Sequence, residues 1–319
     1  MRLLKKLLLG TLVLVLAPFV LVGGWIAWEH ARDPLALIRS EVPSFDIAQD
    51  ETYTVERGGE VRAYHDITLT ADGHEPVRIT VSLPSGQLAR DLPVMILLGG
   101  FRSGRNSLKH VPRAGPNAVI AYEYPLREVI RGKGSPFARV AAARRSALAV
   151  PEQLVAIIRW ARAQPWADPE RINMLGYSLG AVVVPAAHHM AAANGLRLGP
   201  SIIAFGGARL KPIIEANIRL KPAWLRPAIA WLAATLLRQL EPATHLPYLK
   251  GEFLLINSLD DEMIPAVSVR ALQSLTPEPK TIVILPGEHI DPRDPALMAE
   301  IVGITRSWLL ARGAANPAP

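Results

Sequence analysis

The stretch Arg171 to Ala181 reads RINMLGYSLGA, an apolar run that enters Gly-Tyr-Ser-Leu-Gly and continues at once into an apolar segment of helical character. Ser178 with glycine two places away on either side is the spacing of a nucleophile held at a sharp strand-to-helix turn. The residues flanking such a turn must be small, hence Gly176 and Gly180, and the constraint lifts the Ser178 hydroxyl above the sheet. The N-terminus of the following helix favours negative charge developing beside it. The pattern alone is weak, because a Gly-rich turn with a capping serine has the same letters. Its position midway through alternating strands and helices strengthens it.

A serine hydroxyl is a poor nucleophile at neutral pH and needs a base within hydrogen-bond reach and a carboxylate to orient that base. Both are expected in the chain order Ser, Asp, His. After the apolar strand Phe253 to Ile256 comes Asn-Ser-Leu-Asp-Asp-Glu-Met-Ile-Pro, which puts Asp260 and Asp261 at a strand end, where the sites of open α/β sheets gather. After Thr281 to Leu285 comes Pro-Gly-Glu-His-Ile, which puts His289 at the end of the last strand. The remaining histidines read otherwise: His188 and His189 as packing on the helix after the serine, His245 as a lid contact, His65, His74 and His110 as loop or strand surface. No pair has metal-ligand spacing, so neither a metal nor a cofactor is expected. Tetrahedral intermediates need two backbone donors, here expected from Leu179 and Phe101. The loop from Gly99 to Asn106 also faintly resembles a phosphate-binding loop, but Arg105 and Asn106 stand where Lys and Ser or Thr are required.

The elements that must position these residues are legible in the texture of the chain. Tyr53 to Arg57, Arg62 to Thr70 and Val77 to Leu83 alternate in polarity between turn signals, an antiparallel start. After Pro93, apolar runs at 94–98, 118–122, 172–175, 202–205, 253–256 and 281–285 alternate with helical patterns, which predicts a mostly parallel sheet covered on both faces. Helices are expected over Pro136 to Gln164, bent at Pro151, Leu179 to Asn194, Ala266 to Leu275 and Pro295 to Arg312. Residues 209–250 exceed what one crossover helix needs and carry the apolar run Ala223 to Leu240. They read as a small helical cap insertion packed over an acyl pocket, with contact to a bilayer surface as a second reading.

With GYSLG, the Asp-Asp-Glu-Met-Ile-Pro segment and the Gly-Glu-His segment in place, the chain resembles the α/β-hydrolase superfamily, nearest in style to its dienelactone-hydrolase and peptidase-like esterase branches. The resemblance covers Tyr53 to Arg312 and implies an α/β-hydrolase fold with a Ser178, Asp261, His289 triad. In such families the acid usually stands four residues before a proline, which favours Asp261 over Asp260 because Pro265 follows. The family's oxyanion loop often carries a His where Leu98 and Gly99 stand here, which leaves its donor open among Gly100, Phe101 and Arg102.

Length and composition set the outer bounds. The chain has 319 residues, half of them hydrophobic, enough for one large core. It has no cysteine, which excludes disulfides and thiolate metal sites. The net charge of +7 and pI near 9.9 invite a nucleic-acid reading, but the basic residues are scattered, and a solvated surface or attraction to anionic lipid fits better. Leu7 to Trp28 carries no charge and as a helix would span about 33 Å, enough for a hydrocarbon core of roughly 30 Å. Arg2, Lys5 and Lys6 precede it and Trp25 and Trp28 end it, which predicts a single-pass anchor with a cytoplasmic N-terminus and an extracytoplasmic catalytic domain. A cleaved signal peptide is the rival, disfavoured because bulky Trp25 and Ile26 follow Gly23 and Gly24 at the place a cleavage site would occupy. The expected organisation is an anchor over 1–28, a linker over 29–50, a hydrolase domain over 51–312 and a flexible tail over 313–319. The chemistry expected is hydrolysis of a hydrophobic carboxylic ester through an acyl-enzyme. A peptidase, amidase or thioesterase on the same frame, or a membrane-tethered binding module without activity, are the alternatives.

Overall fold

The computed structural model describes residues 17, 20, 23–86, 90–101, 103–125 and 135–318. Its centre is a nine-stranded sheet in the order β1-β2-β3-β5-β4-β6-β7-β8-β9. The strands are β1 Asp46–Arg57, β2 Glu60–Thr70, β3 Val77–Pro84, β4 Leu92–Leu98, β5 Ala118–Glu123, β6 Ala167–Tyr177, β7 Ser201–Ala204, β8 Phe253–Ser258 and β9 Lys280–Leu285. β1, β2 and β3 form an antiparallel meander, β3 joins β5 antiparallel, and every pairing from β5 onward is parallel. The texture of the chain explains this division. β4 and β8 are buried along their whole length, as strands covered on both faces must be, while β1 is solvent-exposed over most of its length.

Alternate side chains of the central strands feed two cores on opposite faces. Val94, Ile96 and Leu98 of β4 face one core together with α1 (Pro136–Arg162), α2 (Leu179–Ala193) and Ala271 and Leu272 of α6 (Ala266–Leu275). Met95 and Leu97 face the other, with Ile301, Trp308 and Leu309 of α7 (Pro295–Leu310). On that second face the crossover from β4 to β5 supplies only a 3₁₀ turn, Gly104–His110. Most of the covering therefore falls to α7, and a groove remains between this helix and the sheet.

Between β7 and β8 lie α3 (Leu210–Asn217), α4 (Arg226–Leu236), the one-turn α5 (Pro242–His245) and three 3₁₀ turns. Glu241 closes this insertion on itself: its carboxylate accepts the N–H groups of Arg209, Leu210 and Ala243. The insertion does not sit over the pocket in the way its apolar run predicts. α4 packs on α3 and on the N-terminal chain, where His30 stacks on Trp231 at 6.0 Å and Arg238 donates to the His30 carbonyl at 2.6 Å. Its apolar residues mark a contact surface, but an all-round apolar pattern does not say against what.

Two segments read as free are held. Within 29–50, expected to be a linker, Ile38 and Val42 are buried in the core and 46–50 belong to β1. In the tail expected to be flexible, Ala314 and Ala315 are buried, and Asn316 exchanges hydrogen bonds with Asn117 and accepts one from Arg171. Most of the expected membrane span Leu7 to Trp28 lies outside the described residues. Among the described residues no helix is long and apolar enough to cross a membrane. Residues 23–31 are helical.

Candidate active site

The turn between β6 and α2 is built as the glycine spacing requires. Ser178 has φ 56° and ψ −115°, a conformation that L residues avoid and that neighbouring structure must impose. A Cβ on Gly176 would stand 2.5 Å from Val184 Cγ2 and 2.7 Å from the Gly180 backbone. One on Gly180 would meet the Leu98 carbonyl oxygen at 2.1 Å. Both glycines are therefore demanded by close backbone approach, and the Ser178 N–H is tied to the Ala204 carbonyl of β7 at 2.9 Å.

Three side chains from the C-terminal ends of β6, β8 and β9 meet above the sheet. Ser178 Oγ lies 2.8 Å from His289 Nε2, and His289 Nδ1 lies 2.7 Å from Asp261 Oδ2. A carboxylate only accepts, so Nδ1 carries the imidazole proton and Nε2 is left to accept from the serine hydroxyl. The second Asp261 oxygen accepts the N–H groups of Met263 and Ile264, both at 2.9 Å, which fixes the carboxylate in place. Its side chain is 1% exposed and that of His289 11%. Asp260 is exposed and takes part through its backbone, donating its N–H to the Gly287 carbonyl at 3.0 Å.

The backbone groups expected to bind an oxyanion lie beside the same hydroxyl. Leu179 is the first residue of α2, so its N–H has no acceptor within the helix. A Cβ on Gly100 would lie 3.9 Å from Ser178 Cβ, so this backbone passes directly beside the serine. The Gly100 carbonyl is engaged by the Ser103 N–H and hydroxyl at 3.0 and 2.8 Å. Across a trans peptide the Phe101 N–H points the opposite way from that carbonyl, away from the turn. Phe101 and Leu179 both line the cavity, and Arg102 lies outside the described residues.

A cavity of about 1180 Å³ opens at Ser178 and runs down the second face of the sheet. Its walls are Met95 and Leu97 of β4, Leu175 and Tyr177 of β6, and Met298, Ile301, Val302 and Leu309 of α7. From Gly99 to Met95 a strand advances about 13 Å at roughly 3.3 Å per residue. The lining is mostly apolar; Arg219, Glu262, Glu288, Asp291 and Arg293 belong to it near the triad, and Arg113, Asn117, Asn316 and Arg306 also line it. Of the insertion only Ile213, Asn217 and Arg219 reach it; the run Ala223 to Leu240 does not.

Two features have no signature in the sequence. Phe205, at the end of β7, has φ 54° and sets its ring edge-on to His289 at 5.7 Å. Tyr177, beside the serine, bonds Thr305 of α7 at 3.0 Å across the groove, and burial pushes its phenol up to about 12. Two of the other histidines are brought together elsewhere, and His110 lines the cavity. His189 and His245 lie 3.2 Å apart through their Nδ1 atoms, and His245 Nε2 donates to the Gln239 carbonyl at 2.8 Å. His245 is fully buried at α5 and takes no part in a lid. Among the described residues no group of three acidic, histidine or cysteine side chains is arranged to hold a metal.

No family model matches the chain, and no curated protein matches it in sequence. Solved structures do match in fold. An acetyl xylan esterase from Paenibacillus sp. R4 superposes with a TM-score of 0.61 at 16% identity, over 88% of this chain and 93% of that one. Acetyl xylan esterase 1 from Thermoanaerobacterium sp. JW/SL YS485 gives 0.59 at 14% identity, over 84% and 89%. A 2,6-dihydroxy-pseudo-oxynicotine hydrolase gives 0.55 at 17% identity, over 85% and 70%. These neighbours are α/β-hydrolase superfamily members, and the chain has their fold.

Proposed function

We propose, with the α/β-hydrolase fold as premise, that the protein is a serine hydrolase of hydrophobic carboxylic esters, with Ser178 as nucleophile, His289 as base and Asp261 as the residue that orients the base. The observation that carries this reading is the unbroken chain of contacts Ser178 Oγ, His289 Nε2, His289 Nδ1, Asp261 Oδ2 at 2.8 and 2.7 Å, at the mouth of an apolar groove. The esterase activity of two of the fold neighbours is consistent with it.

In the proposed reaction His289 Nε2 takes the hydroxyl proton as Ser178 Oγ adds to the ester carbonyl carbon. The carbonyl oxygen becomes an oxyanion facing the Leu179 N–H and the Phe101 N–H. Collapse breaks the bond to the leaving alcohol, which receives the proton from His289, and the acyl group stays on Ser178. A water molecule, deprotonated by the same imidazole, adds to the acyl-enzyme. The second collapse releases the carboxylic acid and restores the serine hydroxyl. Asp261, held by two backbone N–H groups, keeps Nδ1 protonated and stabilises the imidazolium formed in each half.

The acyl chain is assigned to the groove. A depth of about 13 Å accepts on the order of ten carbons, since each C–C bond of about 1.5 Å advances an extended chain by less than its length. The test is a series of p-nitrophenyl esters from acetyl to hexadecanoyl. The proposal expects kcat/KM to rise from acetyl toward chains of about ten carbons, and Leu97→Trp, which fills the groove, to move the optimum to shorter acids. A preference for acetyl that Leu97→Trp leaves unchanged would remove the acyl assignment.

The proposal also includes tethering. The uncharged stretch Leu7 to Trp28, preceded by Arg2, Lys5 and Lys6, serves as a single-pass anchor with the catalytic domain on the extracytoplasmic side. Retention of the protein in membranes washed with alkaline carbonate is the expected result, and release into the wash would end this part of the proposal.

A further inference from the structure

The N-terminal helix enters the domain at a clamped contact with α1 and α4. Residues 23–31 are helical, and a Cβ on Gly23 or Gly24 would meet nothing within 4 Å, so the helix stands clear of the domain there. One turn later it is clamped. Glu29 is 2% exposed and pairs with Arg144 of α1 and with Arg32, while Arg144 also donates to the Leu236 carbonyl at the end of α4. Arg238 holds the His30 carbonyl, and His30 lies against Trp231 of α4. Salt bridges with one partner this buried are strongly directional, because leaving either charge alone is costly. The helix therefore meets α1 and α4 through paired charges and backbone hydrogen bonds.

Around this clamp large apolar side chains face outward. Phe137 is 88% exposed, Trp224 75% and Trp28 56%, with Val140, Ile229 and Trp231 also exposed. They come from three separate elements, the N-terminal helix, the first turns of α1, and α4 with its preceding 3₁₀ turn. Single exposed apolar residues are ordinary, but several around one point mark an interface. Apart from the N-terminal helix, whose Glu29 is buried in the clamp, the segments that carry these side chains hold charge of one sign. Ala216 to Leu240 contains Arg219, Lys221, Arg226 and Arg238 and no acidic residue, and Ser135 to Pro151 contains three arginines and no acidic residue. Exposed tryptophan and phenylalanine among basic residues fit the headgroup region of an anionic membrane.

We propose that this face is a membrane-docking surface: the bilayer entered by the apolar N-terminal segment is also the surface on which Phe137, Trp224, Trp28 and α4 rest. The inference rests on the tethering proposed above and deepens it, because the clamp converts a tether into a fixed seat. It also sets the substrate's route. Asn217 and Arg219, immediately before Lys221 and Trp224, belong to the lining of the cavity, and Asn217 donates to the Met263 carbonyl of the facing loop at 2.8 Å. The mouth thus opens beside the docked face, where an ester dissolved in the membrane can enter without crossing water.

The chain has no cysteine, which makes the test direct. Full-length Phe137→Cys, Trp224→Cys and Glu170→Cys proteins are labelled with an environment-sensitive fluorophore and reconstituted in phosphatidylglycerol-containing vesicles that carry lipid nitroxides. Glu170 is an exposed control at the opposite end of the sheet, and retained fluorophosphonate labelling of each variant verifies folding. The proposal predicts quenching several-fold stronger at 137 and 224 than at 170. Equal quenching at all three positions in protein that resists carbonate extraction overturns the docking surface and leaves the anchor intact. Blue-shifted emission at 137 and 224 without lipid quenching assigns the face to a second copy of the chain and also overturns it. Lipid quenching at 137 and 224 in protein that carbonate releases supports the surface and removes the anchor.

Discussion

Ser178 holds a backbone conformation that costs on the order of 1–3 kcal/mol, and its hydroxyl meets an imidazole already oriented by a buried carboxylate. On the proposed mechanism, Ser178→Ala lowers turnover by about 10⁶ and Asp261→Asn by about 10⁴, the latter because the amide can donate to Nδ1 and so favour the wrong tautomer. Asp260→Asn, at an exposed side chain, leaves turnover within a few-fold of wild type, and a steady-state assay of the variants checks this order. Strand-end position serves both aspartates, and in the sequence only the resemblance, through the spacing to Pro265, favours Asp261; the Oδ2 contact with His289 and the two backbone donors give that preference its geometry. Phe205 was not legible at all. Nothing in its residue type announces a positive φ, and its contact with His289 spans 84 positions of chain, beyond the reach of any local pattern.

At the scale of elements, the parallel strands were legible because a strand buried on both faces must be apolar throughout, as 94–98 and 253–256 are. β1 was underread: Asp46 to Glu51 carries only Ile47 and Ala48 as apolar residues and is exposed on both faces, so no alternation marks it as strand. The tail was misread for a related reason. Its composition is that of a disordered end, but its order comes from long-range bonds, Asn173 Nδ2 to the Ala314 carbonyl at 2.9 Å and the Asn117 and Arg171 contacts with Asn316. Removing residues 314–319 leaves the buried Asn117 and Asn173 without these partners, at about 1–3 kcal/mol each. The expected fall in melting temperature is on the order of 5–10 °C by calorimetry, and an unchanged midpoint would show that the tail contributes nothing. Gly180→Ala, which brings a methyl to 2.1 Å from the Leu98 carbonyl oxygen, is expected to destabilise the turn and abolish activity together.

The molecule as a whole carries an acid-sensitive core on the α2 side of the sheet. Burial pushes His188 and His245 down to about 4, with His189 also lowered and adding repulsion to both. A histidine held below its unfolded value near 6.5 binds its proton more readily in the unfolded chain, so the stability it confers is complete above pH 6.5 and is lost as pH falls toward 4. The loss reaches about 3 kcal/mol per buried histidine. Urea midpoints measured from pH 7.5 to 4 therefore fall, and His188→Leu flattens the curve; an identical slope in the variant would contradict this origin. The overall architecture was legible in the order of strands and helices, whereas the pocket's location was not. It depends on the short β4 to β5 crossover leaving the sheet uncovered, which apolar periodicity in the insertion could not reveal. The central claim is an activated serine at position 178, and its most direct test is labelling with a fluorophosphonate beside Ser178→Ala and His289→Ala. The account predicts stoichiometric labelling of the wild type and none of either variant. Folded wild-type protein that stays unlabelled, or a Ser178→Ala variant that still reacts, would contradict it.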